Sequence, residues 1–238
     1  MLQYLKVHLP HGLLCRLRLL RHRWRRSVSQ FGQDFWVFGE VFNEKQNGFF
    51  LEIGSANGVT INNTLLLEKR YHWGGICIEA NPQSYGDLVR VRQAKCLNIC
   101  VDDKEGEVCF LQKELYSGIV DNSTDLRSEV GRTSGTITLR TKPLKAILDE
   151  SLAPKTIDYM SIDVEGAEER ILTNFEFSQY RFLCITIERP KEVLRGILRT
   201  NGFVLVKEIP GFDCFYIHES FLPEYLNNMF QFWSKYRP

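Results

Sequence analysis

Four carboxylates stand where two apolar runs end. Ile162-Asp163-Val164-Glu165-Gly166-Ala167-Glu168 carries three of them directly after one run, and Glu188 closes the next. Carboxylates crowded in this way raise one another's pKa, so Asp163 or Glu165 can serve as a general base. Asp163 and Glu188 can instead hold Mg²⁺ or a similar hard cation that acidifies a bound hydroxyl. Both chemistries use the same oxygens, and both stay open at this point. A plainer role also exists: Asp163 and Glu165 can cap the following helix and favour its positive end, which is the better reading for Glu168.

A second set of residues has the spacing of a nucleoside site. Phe50-Leu51-Glu52-Ile53-Gly54-Ser55-Ala56-Asn57-Gly58 runs from an apolar strand into a glycine-bearing turn and then a helix. Gly54 and Gly58 supply a tight turn and close backbone approach, with Glu52 before the turn and Ser55 and Asn57 inside it. The spacing is Gly-x-x-x-Gly and not the G-x-G-x-x-G of dinucleotide enzymes. That favours a sulfonium ligand, which has no pyrophosphate to cradle. Glu79, followed by Ala80, ends the next strand about 20 residues on, where a carboxylate accepts both ribose hydroxyls. Asp102 and Asp103, after the third strand, can accept from an adenine amino group. Each element alone also reads as an ordinary turn or strand end, but their order along the chain points to an adenosine cofactor.

The elements that must position these residues are short apolar runs rich in Ile, Val, Phe and Cys, alternating with stretches of helical spacing. Strands are predicted at Phe49–Ile53, Gly75–Ala80, Cys96–Val101, Ile157–Ile162, Phe182–Ile187, Phe203–Ile209 and Cys214–Ile217. Helices are predicted at Asn63–Tyr71, Ser84–Gln93, Pro143–Asp149, Ala167–Asn174 and Lys191–Asn201. Pro143 suits a first helical turn and Gly202 a C-cap. Pro210-Gly211-Phe212-Asp213 is too short for a parallel crossover, so the last two strands must pair as an antiparallel hairpin. The expected fold is therefore α/β, a seven-stranded, mostly parallel, Rossmann-like sheet with a C-terminal hairpin, which by analogy resembles the class I methyltransferase arrangement. Residues 112–142 break the rhythm and read as a long polar insertion, placed to act as a lid.

These residues resemble the FkbM family of methyltransferases over roughly residues 45 to 220. The resemblance is carried by Leu51 to Gly58, Ile78-Glu79-Ala80-Asn81-Pro82, Val101-Asp102-Asp103-Lys104-Glu105-Gly106 and above all Ile162 to Glu168. Ser117-Gly118-Ile119-Val120-Asp121, Ile185-Thr186-Ile187-Glu188 and Asp213-Cys214-Phe215 add to it. It implies S-adenosylmethionine as methyl donor and an oxygen acceptor, a hydroxyl or carboxyl of a small or carbohydrate-like molecule. Family members often follow the carboxylate at Glu188 with His-Asn. This chain has Arg189-Pro190 instead, and any acceptor contact made by that pair is altered.

Composition bounds the rest. A chain of 238 residues, 44% hydrophobic and 25% charged, can bury one sizeable core. The net charge of +1 hides a basic stretch of Arg16, Arg18, Arg21, Arg23, Arg25 and Arg26 in an N-terminal extension, residues 1–44, that is expected to be helical. Leu13, Leu17, Leu20 and Trp24 share one helical face there, which suits peripheral contact with an anionic membrane or an oligomer contact. The arginines also suggest an RNA-modifying enzyme, although the stretch lies outside the catalytic unit and no RNA-binding motif accompanies it. A catalytically silent binding protein on the same fold is the third alternative. Residues 221–238, with Phe221, Tyr225, Phe230, Phe232 and Trp233, are predicted to form an aromatic helix packed on the core or on a partner subunit. The seven cysteines show no CxxC pair and no zinc spacing, which favours a reducing, cytoplasmic setting. The arginines also break the one early apolar run, so neither a membrane span nor a cleavable signal is expected there.

Overall fold

Apolar runs become strands wherever helices can cover both faces. The computed structural model describes residues 27–113, 116–131 and 135–235; the arginine-rich stretch lies outside them. In chain order the elements begin with α1 (Gln33–Phe35, continuing as a π-helix over Trp36–Val41), β1 (Phe49–Ile53), α2 (Leu65–Tyr71), β2 (Gly74–Ile78), α3 (Pro82–Val91) and β3 (Lys95–Leu97). Then come β4 (Cys100–Asp102), β5 (Gly106–Leu111), β6 (Gly118–Ile119), β7 (Thr136–Pro143) and α4 (Leu144–Glu150). The chain continues with β8 (Thr156–Ile162), α5 (Glu168–Thr173), β9 (Arg181–Glu188), α6 (Glu192–Thr200), β10 (Phe203–Glu208), β11 (Asp213–His218) and α7 (Leu222–Ser234).

The main sheet has seven strands in the order β10-β11-β9-β8-β1-β2-β3. Its pairs are parallel except where β11 meets β9 and β10. Period-two alternation sends Leu51, Ile53, Met160, Ile162, Ile185 and Ile187 to the face covered by α4, α5 and α6. The opposite face, with Phe50, Cys77, Tyr159, Cys184 and Phe215, packs on α1, α2 and α7. The strand order reverses between β1 and β8, which opens a crevice at their carboxyl ends.

Three expectations change. The run Cys96–Val101 is not one strand: it splits into β3, in the main sheet, and β4, in a second four-stranded sheet of order β4-β7-β5-β6. The Asn98 side chain causes the break by donating to the carbonyls of Glu79 and Ala80 at 2.8 and 3.1 Å, where a continuing strand would put backbone. Residues 112–142 are not a structureless insertion, because β6 and most of β7 lie within them and pair with β5. The alternation in Thr136-Ile137-Thr138-Leu139 was masked by the glycines and serines before it. Pro143 ends β7 and caps α4 instead of entering its first turn.

From Gln33 onward the N-terminal residues belong to the core, since Trp36, Val37 and Val41 are buried beneath α7. Gly39 lies under the Phe232 ring so closely that a β-carbon there would be 2.6 Å from it. The aromatic residues of α7 thus cover the molecule's own α1. The six described cysteines are free, and no described helix is long and apolar enough to cross a membrane.

Candidate active site

The crevice begins with Gly54. Its φ of +87 suits glycine, and a β-carbon would lie 1.8 Å from the Asp163 carbonyl oxygen. The Asp163 N–H donates to the Ile53 carbonyl at 3.0 Å, so the ends of β1 and β8 touch. Glu79, at the end of β2, accepts the backbone N–H groups of Ala56 and Asn81, both at 2.7 Å. It therefore shapes the turn while lining the cleft, and burial pushes its pKa up.

Other turn residues work from behind. Ser55 is buried and donates to the Glu52 carbonyl at 3.2 Å. The Asn57 carboxamide oxygen accepts from the N–H groups of Val59 and Thr60. Gly58 packs against Leu88, where a β-carbon would come within 2.6 Å. Glu52 anchors the wall: its carboxylate accepts from Asn62 at 2.8 Å, the Asn63 N–H at 3.0 Å, Thr64 at 2.9 Å and Arg92 at 3.3 Å. Arg92, fully buried, also pairs with Glu68 at 3.0 Å.

Two adjoining clefts share Gly54, Glu79, Ser117 and Asp163. One is polar and also lined by Glu52, Ser55, Asn62, Asn63 and Glu165. The other is mainly apolar, with Ala80, Ile99, Val101, Phe110, Ile119 and Ala167 among its walls. An apolar slot for a planar base that opens past a buried carboxylate into a polar chamber fits an adenosine carrying a charged amino-acid tail. Asp102 and Asp103 line neither cleft. Asp102 is held by the Arg170 guanidinium at 3.0 and 2.5 Å, and the apolar cleft is walled at this point by Ile99, Cys100 and Val101.

At the open end, carboxylate oxygens of Asp163, Glu165 and Glu188 lie within 4.8 Å of one another. Burial, then the charge of Glu188, pushes the Asp163 pKa well above the usual carboxylate range. Burial lifts Glu165 to about 7, again with help from Glu188. Glu168 does not line the clefts: it is buried and accepts the N–H groups of Val164 at 2.9 Å and Gly166 at 3.3 Å, so it ties down the turn before α5 instead of capping the helix, whose N-cap is Ala167. The residues that spacing did not reveal are Asn62, Asn63 and Asp125, whose roles depend on chain crossings. Arg189 was visible as the departure from His-Asn. One of its terminal nitrogens lies 2.8 Å from Glu188, 3.2 Å from Glu165 and 3.2 Å from Asp125.

The model of the methyltransferase FkbM domain matches residues 52–205, which runs from β1 into β10 and includes every cleft residue named. The chain belongs to the FkbM family. By that membership it is an S-adenosylmethionine-dependent methyltransferase, with the expected α/β fold. Solved structures similar to this FkbM chain include M. capricolum TrmK in complex with S-adenosyl-homocysteine, at 10% identity and a TM-score of 0.40, covering 81% of this chain and 70% of that one. A Methanococcus jannaschii fibrillarin pre-rRNA processing protein is similar at 13% identity and a TM-score of 0.41, covering 81% and 75%. A methyltransferase from Pyrococcus furiosus follows at 12% identity and 0.35, covering 73% and 76%. No curated protein matches the chain significantly in sequence.

Proposed function

We propose that this FkbM enzyme methylates a hydroxyl oxygen of a small, carbohydrate-like acceptor, with Asp163 as the proton acceptor. The observation that carries the reading is the meeting of Asp163 and Glu165, which line a polar chamber adjoining the apolar slot, with the carboxylate of Glu188. When bound, S-adenosylmethionine supplies an electrophilic methyl on a sulfonium. Gly54, Glu79 and the apolar slot would hold its nucleoside, with Ser55, Asn62 and Asn63 near its amino-acid tail.

The chain's own part is then to align an oxygen and to take its proton. Asp163, fixed through its backbone N–H to the Ile53 carbonyl, holds one carboxylate at the cleft junction. Glu165 and Glu188 are acceptors for the further hydroxyls of a polyol. A carboxylate acceptor would meet like charges here, whereas a neutral hydroxyl donates to them, which favours the hydroxyl.

A divalent cation on Asp163, Glu165 and Glu188 is the second reading, favoured by the closeness of their oxygens. Against it, Arg189 already places a positive charge against Glu188 and Glu165. The deciding experiment offers S-adenosylmethionine and a panel of methyl glycosides, inositols and sugar acids to the enzyme, with and without a chelator. Mass spectrometry should find one added methyl on a hydroxyl compound, unaffected by the chelator. Methylation only of sugar acids would overturn the hydroxyl assignment. Activity lost to chelator and restored by Mg²⁺ would establish the cation.

A further inference from the structure

Arg189 follows the last residue of β9 in a backbone conformation that is unfavourable twice over. Its φ is +40, a left-handed value that non-glycine residues rarely adopt, and Pro190 pushes the preceding residue toward extended backbone. Glu165 lies at φ +56. Two strained residues therefore face one another, joined by an ion pair of 3.2 Å.

The same guanidinium nitrogen reaches Glu188 and Asp125, so a single group gathers carboxylates from three segments: the end of β9, the turn between β8 and α5, and the loop after β6. Backbone contacts bind the same segments. The Asp125 N–H donates to the Glu165 carbonyl at 3.0 Å, the Arg189 N–H to the Phe212 carbonyl at 2.7 Å, and Lys191 to the Ser123 carbonyl at 2.7 Å. The approach is close, since a β-carbon on Gly166 would lie 2.5 Å from the Asp125 nitrogen. The Arg189 side chain keeps 43% of its surface exposed, and ion pairs that wet contribute little to folding. Strain kept where it gains so little stability is found mainly at functional sites.

We propose that Arg189 is a positioning residue for methyl transfer: it holds Glu165 and Glu188 in place beside Asp163 and fastens the Asp125 loop to the turn that carries Glu165. The inference rests on the acceptor assignment made above and names the device that keeps that site assembled.

Arg189→Gly removes the guanidinium while suiting the backbone, because glycine takes φ +40 freely, so the fold is retained. Arg189→Lys keeps a charge without the planar fork. The first measurement needs no acceptor. Exchange of the Asp125 amide should quicken by about tenfold in Arg189→Gly and by less in Arg189→Lys; equal rates in all three proteins overturn the fastening. The second uses the methyl glycoside or inositol that the panel shows to be methylated. Arg189→Gly should lose about 10²-fold in kcat with unchanged affinity for S-adenosylhomocysteine by calorimetry. Added guanidinium ion should restore part of the rate, and sodium chloride at equal ionic strength should not. A wild-type kcat in Arg189→Gly, or a loss that guanidinium cannot relieve, overturns the positioning role. If the wild type methylates nothing on the panel, the hydroxyl assignment fails instead, and the exchange comparison still decides whether Arg189 fastens the loop.

Discussion

Asp163 is asked to be both an acid and a base. Burial and the charge of Glu188 favour the protonated form of Asp163. On the proposed reading, a sulfonium bound beside Asp163 would reverse that preference. Binding of S-adenosylmethionine should therefore release protons and binding of the neutral thioether product should not, a difference visible by calorimetry in buffers of unlike ionisation enthalpy. Equal release by both ligands would remove the carboxyl pair from contact with the sulfonium. Asp163→Asn keeps the shape and removes the charge, so it should melt like wild type while turnover falls by roughly 10²-fold or more. The raised values also fix a pH dependence. Glu165 and Glu168 titrate near 7 in the folded chain against an ordinary 4.5, so the folded state binds their protons more tightly than the unfolded one. That stability is full below about 4.5 and lost as pH rises through 7. Asp149, held down to about 2 by Lys145 and Tyr180, is ionised throughout and adds no slope. His218, depressed mainly by burial, works the other way as a single opposing group. The ligand-free protein should melt at least about 2–4 °C lower at pH 8 than at pH 5.5, with a shallower fall in Glu165→Gln. At this scale Asp163 and Glu188 were legible because each follows an apolar run, and Glu165 because it lies two residues beyond Asp163. The pairing of Arg189 with Asp125 was not, since Asp125 lies far from it in sequence and meets it only through the fold.

Among the elements, the turn after β1 has the least freedom. Gly54→Ala would press a methyl against the Asp163 carbonyl and hold an unfavourable φ, so cofactor affinity should fall by about 10²-fold or more and the melting temperature should drop with it. Retained affinity with a lowered melting temperature would show that the junction of β1 and β8 serves the fold alone. The main sheet was readable because buried parallel strands carry unbroken apolar runs, as in Phe182 to Ile185. The second sheet was not. Its strands β4 and β6 are short, and its boundary with the main sheet is set by the Asn98 side chain bonding to carbonyls that no periodicity reports. The apolar cleft was hidden for the same reason, because its walls at Ile99, Cys100 and Val101 lie at that boundary, while the more conspicuous Asp102 turns to Arg170. The loop expected to act as a lid is held at Asp121 by Arg170 and at Ser123 by Lys191. The amides of β7 that pair with β5 should consequently be protected from exchange even without ligand.

Across the whole molecule, the core closes by joining its two ends. Phe232 is fully buried and makes ring contacts with Phe35, Phe38 and Trp233. Gln33 bonds to Asp213, and Asn43 to Gln231. Phe232→Ala should cost about 3–5 kcal/mol, read as a lowered denaturant midpoint; an unchanged midpoint would mean that α7 is only loosely attached. Sequence alone showed that α7 is aromatic but left open whether it covers a partner, since hydrophobic patterning names the face and not its occupant. The closure also has a consequence in time. At about 5–20 residues per second of synthesis, Trp36 leaves the ribosome roughly 10–40 s before Phe232 does. Through that interval the face of α1 that will lie under α7 has no cover, so the nascent chain offers chaperones an aromatic surface until α7 emerges to conceal it.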